Sequence, residues 1–253
     1  MRRNEIRMKR NDFIFIVAAI FLVGAILGIS FMPARPAEEP VEISEYSVVV
    51  GIPAVDAENN GVIGTLFTTV KPGTGRILVN VDNILSQIDT QFSSRTAVKV
   101  AADYMKLDSG MIDVIFTLKV NATIIEGPSA GSAMAASVIL ALSGSQADSR
   151  IMMTGTIEDS GAIGSVGAIE EKAMAAKAAG AEIFIVPSGQ SEDTISRRER
   201  ECTEYGSVTV CSVRYVREKV SVSGPLNMTI VEAGTIEELM ELYYGMREDG
   251  VTG

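Results

Sequence analysis

The chain opens on a pattern unlike the rest of it. Positions 13–32 are twenty consecutive residues without a charge, enough helix to cross a hydrocarbon layer of about 30 Å. Beyond residue 44 the apolar positions fall into shorter runs. Residues 46–54 and 61–70 are β-branched and apolar and flank Asp56-Ala57-Glu58-Asn59-Asn60-Gly61, which predicts two antiparallel strands joined by a polar turn. A third strand is expected at 76–81, and the spacing of Ala97, Val98, Ala101, Ala102 and Met105 predicts a helix over 87–105. Strand alternation returns at 112–120. Small residues over 130–142 predict a tightly packed helix, 151–157 a strand, 169–179 a helix closed by Gly180, and 183–187 another strand. A polar, charge-rich stretch at 191–204 precedes two or three strands and a last helix at 236–244. The order shows no internal repeat and describes a mixed α/β (α+β) domain.

The charges around the apolar run give it a direction. Arg2, Arg3, Arg7, Lys9 and Arg10 precede it, and Arg35, Glu38 and Glu39 follow, so the basic-side rule puts the N-terminus in the cytoplasm and the body outside. A cleaved signal peptide has a shorter apolar core, and only Gly28-Ile29-Ser30 resembles a cleavage site, which favours an uncleaved anchor. The expected layout is a basic tail at 1–12, a transmembrane anchor at 13–32, a proline-bearing spacer at 33–44 and one domain at 45–253. The net charge is −10, and the body beyond residue 31, which keeps 17 basic and 30 acidic residues, carries −13. Such a body has no electrostatic attraction for nucleic acid.

Composition narrows the chemistry further. The chain has no histidine, which removes every Ser-His, Cys-His and His-metal mechanism. Cys202 and Cys211 are too few for a zinc site; a disulfide across a turn and a pair of inert thiols both fit their spacing. No Gly-Lys-Ser or Gly-Lys-Thr occurs, and Gly161, Gly164 and Gly167 match neither a P-loop nor a dinucleotide fingerprint. No nucleotide and no other cofactor is expected.

Two segments remain that carry chemistry. In Glu126-Gly127-Pro128-Ser129-Ala130-Gly131, the serine arrives at the first turn of the small-residue helix, where unpaired N–H groups can stabilise an oxyanion. Taken alone, a serine there is more often an N-cap. In the second segment, a glycine-rich turn leads to Lys172, whose helical neighbours are Ala168, Ile169, Ala175, Ala176 and Ala179. An apolar face of that kind lowers a lysine pKa toward neutrality by desolvation, whereas an ordinary helix lysine reaches out to water. Lys177 has similar neighbours but lies near the helix end, closer to solvent.

Together the two segments resemble the proteolytic domain of the Lon family. Gly127-Pro128-Ser129-Ala130-Gly131 matches its serine motif, and Met153-Thr154-Gly155 with Val166-Gly167-Ala168-Ile169-Glu170-Glu171-Lys172 matches its lysine motif, in the same order and at a similar separation of 43 positions. The resemblance implies the Lon proteolytic fold, related to domain 2 of ribosomal protein S5. It also implies a Ser-Lys dyad in which Lys172 deprotonates Ser129, with Thr154 as the threonine that positions the lysine. Gly127 and Ala130 flank the nucleophile as in the family. Glu126 stands where the family has Asp and Thr156 where it has Glu; a carboxylate at Glu126 is a candidate to pair with Lys172 in a resting state. Family members commonly assemble as rings, which implies a homo-oligomer such as a hexamer. Full Lon proteins carry an ATPase, and without one the expected substrates are peptides and unfolded or exposed segments. A noncatalytic scaffold of the same fold, a partner of a separate ATPase, and a peptidase that processes its own N-terminal segment are the competing readings.

Overall fold

A computed structural model describes residues 44–82, 88–120, 127–205, 208–222, 224 and 226–249. All belong to one compact unit, Ile43–Gly253. The expected anchor at 13–32, the tail before it and the spacer up to residue 43 lie outside the described residues. Among the described residues no helix is long and apolar enough to cross a membrane.

The first four strands build a mixed sheet. β1 (Tyr46–Val55) and β2 (Gly61–Pro72) pair antiparallel as the sequence predicts, from Tyr46 opposite Val70 to Val55 opposite Gly61. Their turn is closed by Asp56, whose carboxylate accepts from the Glu58 and Asn60 N–H groups at 3.0 and 2.7 Å, the local bonding that favours Asp at such a position. β3 (Ile77–Asp82) leads into α1 (Ile88–Tyr104), and the chain returns as β4 (Ile112–Val120), parallel to β3 and antiparallel to β2. The strand order is β1-β2-β4-β3.

α2 (Gly131–Leu142) is buried from Gly131 to Ala141. Its Ala, Gly and Ser side chains let it lie against α1, β1 and β2 at once. The buried Thr68 and Ser137 hydroxyls bond to each other at 2.7 Å, so each finds a partner within this contact. Leu66, Phe116, Met134, Ile139 and Leu140 are among the large side chains of this core.

A second sheet of three parallel strands, in the order β11-β8-β5, comprises β5 (Ile151–Met153), β8 (Ile183–Pro187) and β11 (Thr229–Ala233). α3 (Ile169–Ala178) connects β5 to β8 and packs Ile169, Ala173 and Ala176 with Met152, Phe184 and Val186. The last helix, α4 (Ile236–Asp249), extends past the predicted end at 244.

Two expectations are corrected. Residues 151–157 do not form one strand: β5 ends at Met153, and the short β6 (Thr156–Ile157) pairs instead with β7 (Ile163–Gly164). The break comes where the Gly155 N–H turns away from the sheet to the Ser129 carbonyl, at 2.9 Å. The polar stretch near 191–204 is an arm of a long hairpin, β9 (Glu192–Tyr205) with β10 (Val208–Ser221). It pairs with no third strand among the described residues, and its described side chains Arg200, Glu201, Ser212, Val213 and Arg214 are exposed, so none of these marks the apolar alternation by which a half-buried strand is recognised. Cys202 faces Cys211 in its register, and the two form a disulfide.

Candidate active site

Gly127 adopts φ +99°, a conformation that a side chain disfavours, and Pro128 then directs the chain to the half-buried Ser129. α2 begins two residues later, with Ala130 as its N-cap and no side-chain capping bond. Ser129 is therefore not an N-cap and lies before the first turn, a correction to its expected place within that turn. Its hydroxyl is not committed to the helix.

The peptide of Ser129 is held from the other segment. Its carbonyl accepts from the Gly155 N–H at 2.9 Å and from the Thr154 hydroxyl at 3.2 Å, while the Ser132 N–H donates to the Gly155 carbonyl at 3.0 Å. These bonds lock the serine motif to the Thr154-Gly155 break in the strand. A Cβ on Gly131 would lie 2.8–2.9 Å from the Ile157 methyl and backbone nitrogen, so the second glycine of the motif is what permits that approach. Thr154 is itself buried, and its N–H donates to the Ile185 carbonyl of β8 at 3.0 Å. The resemblance implied that Thr154 positions the lysine; its described hydrogen bond goes to the serine's backbone. Among the described residues neither the Ser129 nor the Ala130 N–H donates to a protein acceptor, which leaves two adjacent donors for a ligand oxygen.

Lys172 lies on the inward face of α3 and is only 3% exposed. Burial pushes its ammonium down from an ordinary 10.5 to about 8, and the neighbouring Glu171 carboxylate opposes this only in part. No hydrogen bond or ion pair compensates the buried charge among the described residues. Lys177 behaves as its position near the helix end predicts: half-buried, it donates to the Asn227 carbonyl at 2.9 Å.

α3 is seated by two contacts that no sequence pattern singles out. The Asn59 side chain, at φ +63°, donates to the Glu171 carboxylate at 3.0 Å. Gly61 lies so close beneath that a Cβ there would collide with the Glu171 carbonyl oxygen and stand 3.0 Å from the Ala175 methyl. At the other end of the approach to α3, Gln190 bonds the backbone of Val166. Thr156 is half-buried on β6. Glu126, and with it the expected pairing to Lys172, lies outside the described residues. No group of three or more Cys, Asp or Glu among the described residues is placed to hold a metal ion.

The sequence pattern of the Lon protease (S16) C-terminal proteolytic domain matches residues 68–222. The Lon protease of Vibrio parahaemolyticus is 26% identical over 180 residues, covering 69% of this chain and 22% of that protein. Lon protease 2 of Sorangium cellulosum is 30% identical over 168 residues, 62% of this chain and 20% of its own length. The Lon protease of Chloroherpeton thalassium is 30% identical over 183 residues, 71% and 21%. The chain thus spans about a fifth of the length of the relatives it matches. The mixed α/β fold, the linked serine and threonine-glycine segments and the match over 68–222 agree, and the chain belongs to the Lon protease family of serine peptidases through its proteolytic domain.

Proposed function

We propose that the domain is an ATP-independent endopeptidase working through a Ser129-Lys172 dyad. The observation that carries this reading is the buried Lys172, without a compensating partner among the described residues and with a pKa lowered to about 8. Holding an ammonium that way costs stability with no packing benefit that an apolar side chain could not give, whereas a general base needs a neutral amine near working pH. In the proposed reaction, neutral Lys172 takes the Ser129 hydroxyl proton as Oγ attacks a peptide carbonyl. The Ser129 and Ala130 N–H groups receive the developing oxyanion, the lysine returns its proton to the leaving amine, and water then releases the acyl group. None of these steps consumes a nucleotide, and the glycines of the chain form no P-loop. Peptides and unfolded or exposed protein segments are the proposed substrates, and a homo-oligomeric ring, hexameric as is common in the family, the proposed assembly.

The uncharged run at 13–32, with basic residues before it, supports an anchor that holds the domain outside the cytoplasm. The Cys202–Cys211 disulfide supports an oxidising compartment. ATP is scarce there, which fits a peptidase that does not use it.

The test is hydrolysis of casein or a fluorogenic peptide without ATP by wild type, Ser129→Ala and Lys172→Ala. Both substitutions should abolish turnover, and activity that survives them sinks the dyad. With a base of pKa about 8, the neutral fraction is about a tenth at pH 7 and about nine-tenths at pH 9, so kcat/KM should rise about tenfold between them. Protease protection of the body in spheroplasts tests its side of the membrane. A Ser129→Ala protein indistinguishable from wild type in its cellular role would favour the scaffold reading.

A further inference from the structure

Gln190 follows β8, three residues beyond Pro187, and its side chain meets the backbone of Val166 in both directions. The Val166 N–H donates to Gln190 Oε1 at 2.9 Å, and Gln190 Nε2 donates to the Val166 carbonyl at 2.8 Å. A neighbouring strand would offer the same donor and acceptor, so the amide serves as a strand one residue long. Gln190 is in turn held from β11: the Gly189 and Ser191 N–H groups both donate to the Glu232 carboxylate, each at 2.8 Å.

Val166 stands two residues before Ala168, the N-cap of α3. Ala168 has a left-handed backbone, φ 56° and ψ 45°, and no side chain caps the helix. A non-glycine residue persists in that region only where its surroundings impose it. With no capping residue to fix the entry of α3, the external clamp at Val166 supplies the constraint. The Lys172 N–H bonds the Ala168 carbonyl at 3.1 Å, so the lysine sits on the first turn whose start this clamp sets.

We propose that Gln190 is a positioning residue for Lys172, fixing through Val166 the entry of the helix that carries the base. The proposal rests on the Ser129-Lys172 reading. A cleft of about 210 Å³ lined by Val166, Ala168, Ile169, Gly189, Gln190 and Glu192 adjoins the clamp. Water there can take over the Val166 groups if the amide is removed, so the variants should fold.

The experiment compares the full chain in detergent, as wild type, Gln190→Ala, Gln190→Glu and Ser129→Ala, for fluorogenic-peptide turnover and for amide hydrogen exchange at residues 165–172. Gln190→Ala should lower kcat by about tenfold to 100-fold with KM within about twofold of wild type, and speed exchange at 165–172. Gln190→Glu keeps an acceptor for the Val166 N–H but not the donor, and should fall between. Wild-type kcat in Gln190→Ala, a change confined to KM, or unchanged exchange overturns the proposal. If the wild type hydrolyses nothing, the dyad reading fails separately, and the exchange data still decide whether Gln190 holds the approach to Lys172.

Discussion

Replacing Lys172 by methionine should make the protein more stable while abolishing catalysis. The side chain is 3% exposed and its pKa falls from 10.5 to about 8, chiefly by desolvation. A lysine whose folded pKa lies below its unfolded value opposes folding wherever it is protonated in both states, here below pH 8. Between 8 and 10.5 the unfolded chain binds more protons, so stability rises with pH and the penalty fades. A gap of about 2.5 pKa units corresponds to about 3 kcal/mol. Methionine fills nearly the same volume without the charge, so it should recover up to that amount at pH 7 and little near pH 10.5. Urea unfolding of wild type and Lys172→Met, followed by far-UV circular dichroism at several pH values, reads this as a midpoint gain of about 1 M or more at pH 7. A variant no more stable than wild type at pH 7, or a gain that does not shrink as pH rises, would mean that the ammonium is solvated or paired. Lys172 would then stay protonated near neutral pH and could not serve as the base.

Thr154→Val removes the hydroxyl bond to the Ser129 carbonyl but leaves the Gly155 N–H in place; it should cost about 1 kcal/mol in unfolding free energy and lower kcat more than it raises KM in steady-state assays. Gly61→Ala drives a methyl into the Glu171 carbonyl, so α3 must shift; a loss of about 1–3 kcal/mol should appear in thermal unfolding together with a fall in turnover. The 1% exposed Asp113 carboxylate accepts from the Arg76 guanidinium and from the Thr74 and Arg76 N–H groups, which hold it far below the usual carboxylate range. Its stabilisation is present above an ordinary pKa of 3.8 and is lost as pH falls toward the folded value. Asp113→Asn should therefore be less stable than wild type at pH 7 and show a shallower acid limb in pH-dependent unfolding.

Elements whose apolar residues face a core were legible from the chain. β1, β2 and β4 carry β-branched runs, and α2 and α3 carry small-residue faces that only close packing explains. Ser129 and Lys172 stood out because two motifs occur in register, and the burial of Lys172 agrees with its apolar helical neighbours. Contacts that depend on tertiary placement were not legible. Thr154-Gly155 reads as strand until the Ser129 carbonyl draws it out, and Gln190 looks like any polar residue after a strand until Val166 is found beside it. Asn59 and Gly61 read as turn residues, and nothing local to them announces the helix resting on them. The first arm of the hairpin β9–β10 escaped for the opposite reason, since its described side chains Glu192, Arg200 and Glu201 are exposed and none of them marks a buried face.

The bridge between Cys202 and Cys211 closes a loop nine positions long between paired strands. Two thiols held opposite each other in one hairpin can oxidise without waiting for oligomerisation or for any distant segment to arrive. Their state in a living cell is therefore a record of the redox poise around the domain rather than of its assembly. Alkylating free thiols before lysis and comparing the mass of the 202–211 segment with and without a reductant would read that record, and so report whether the polypeptide matured in an oxidising or a reducing compartment.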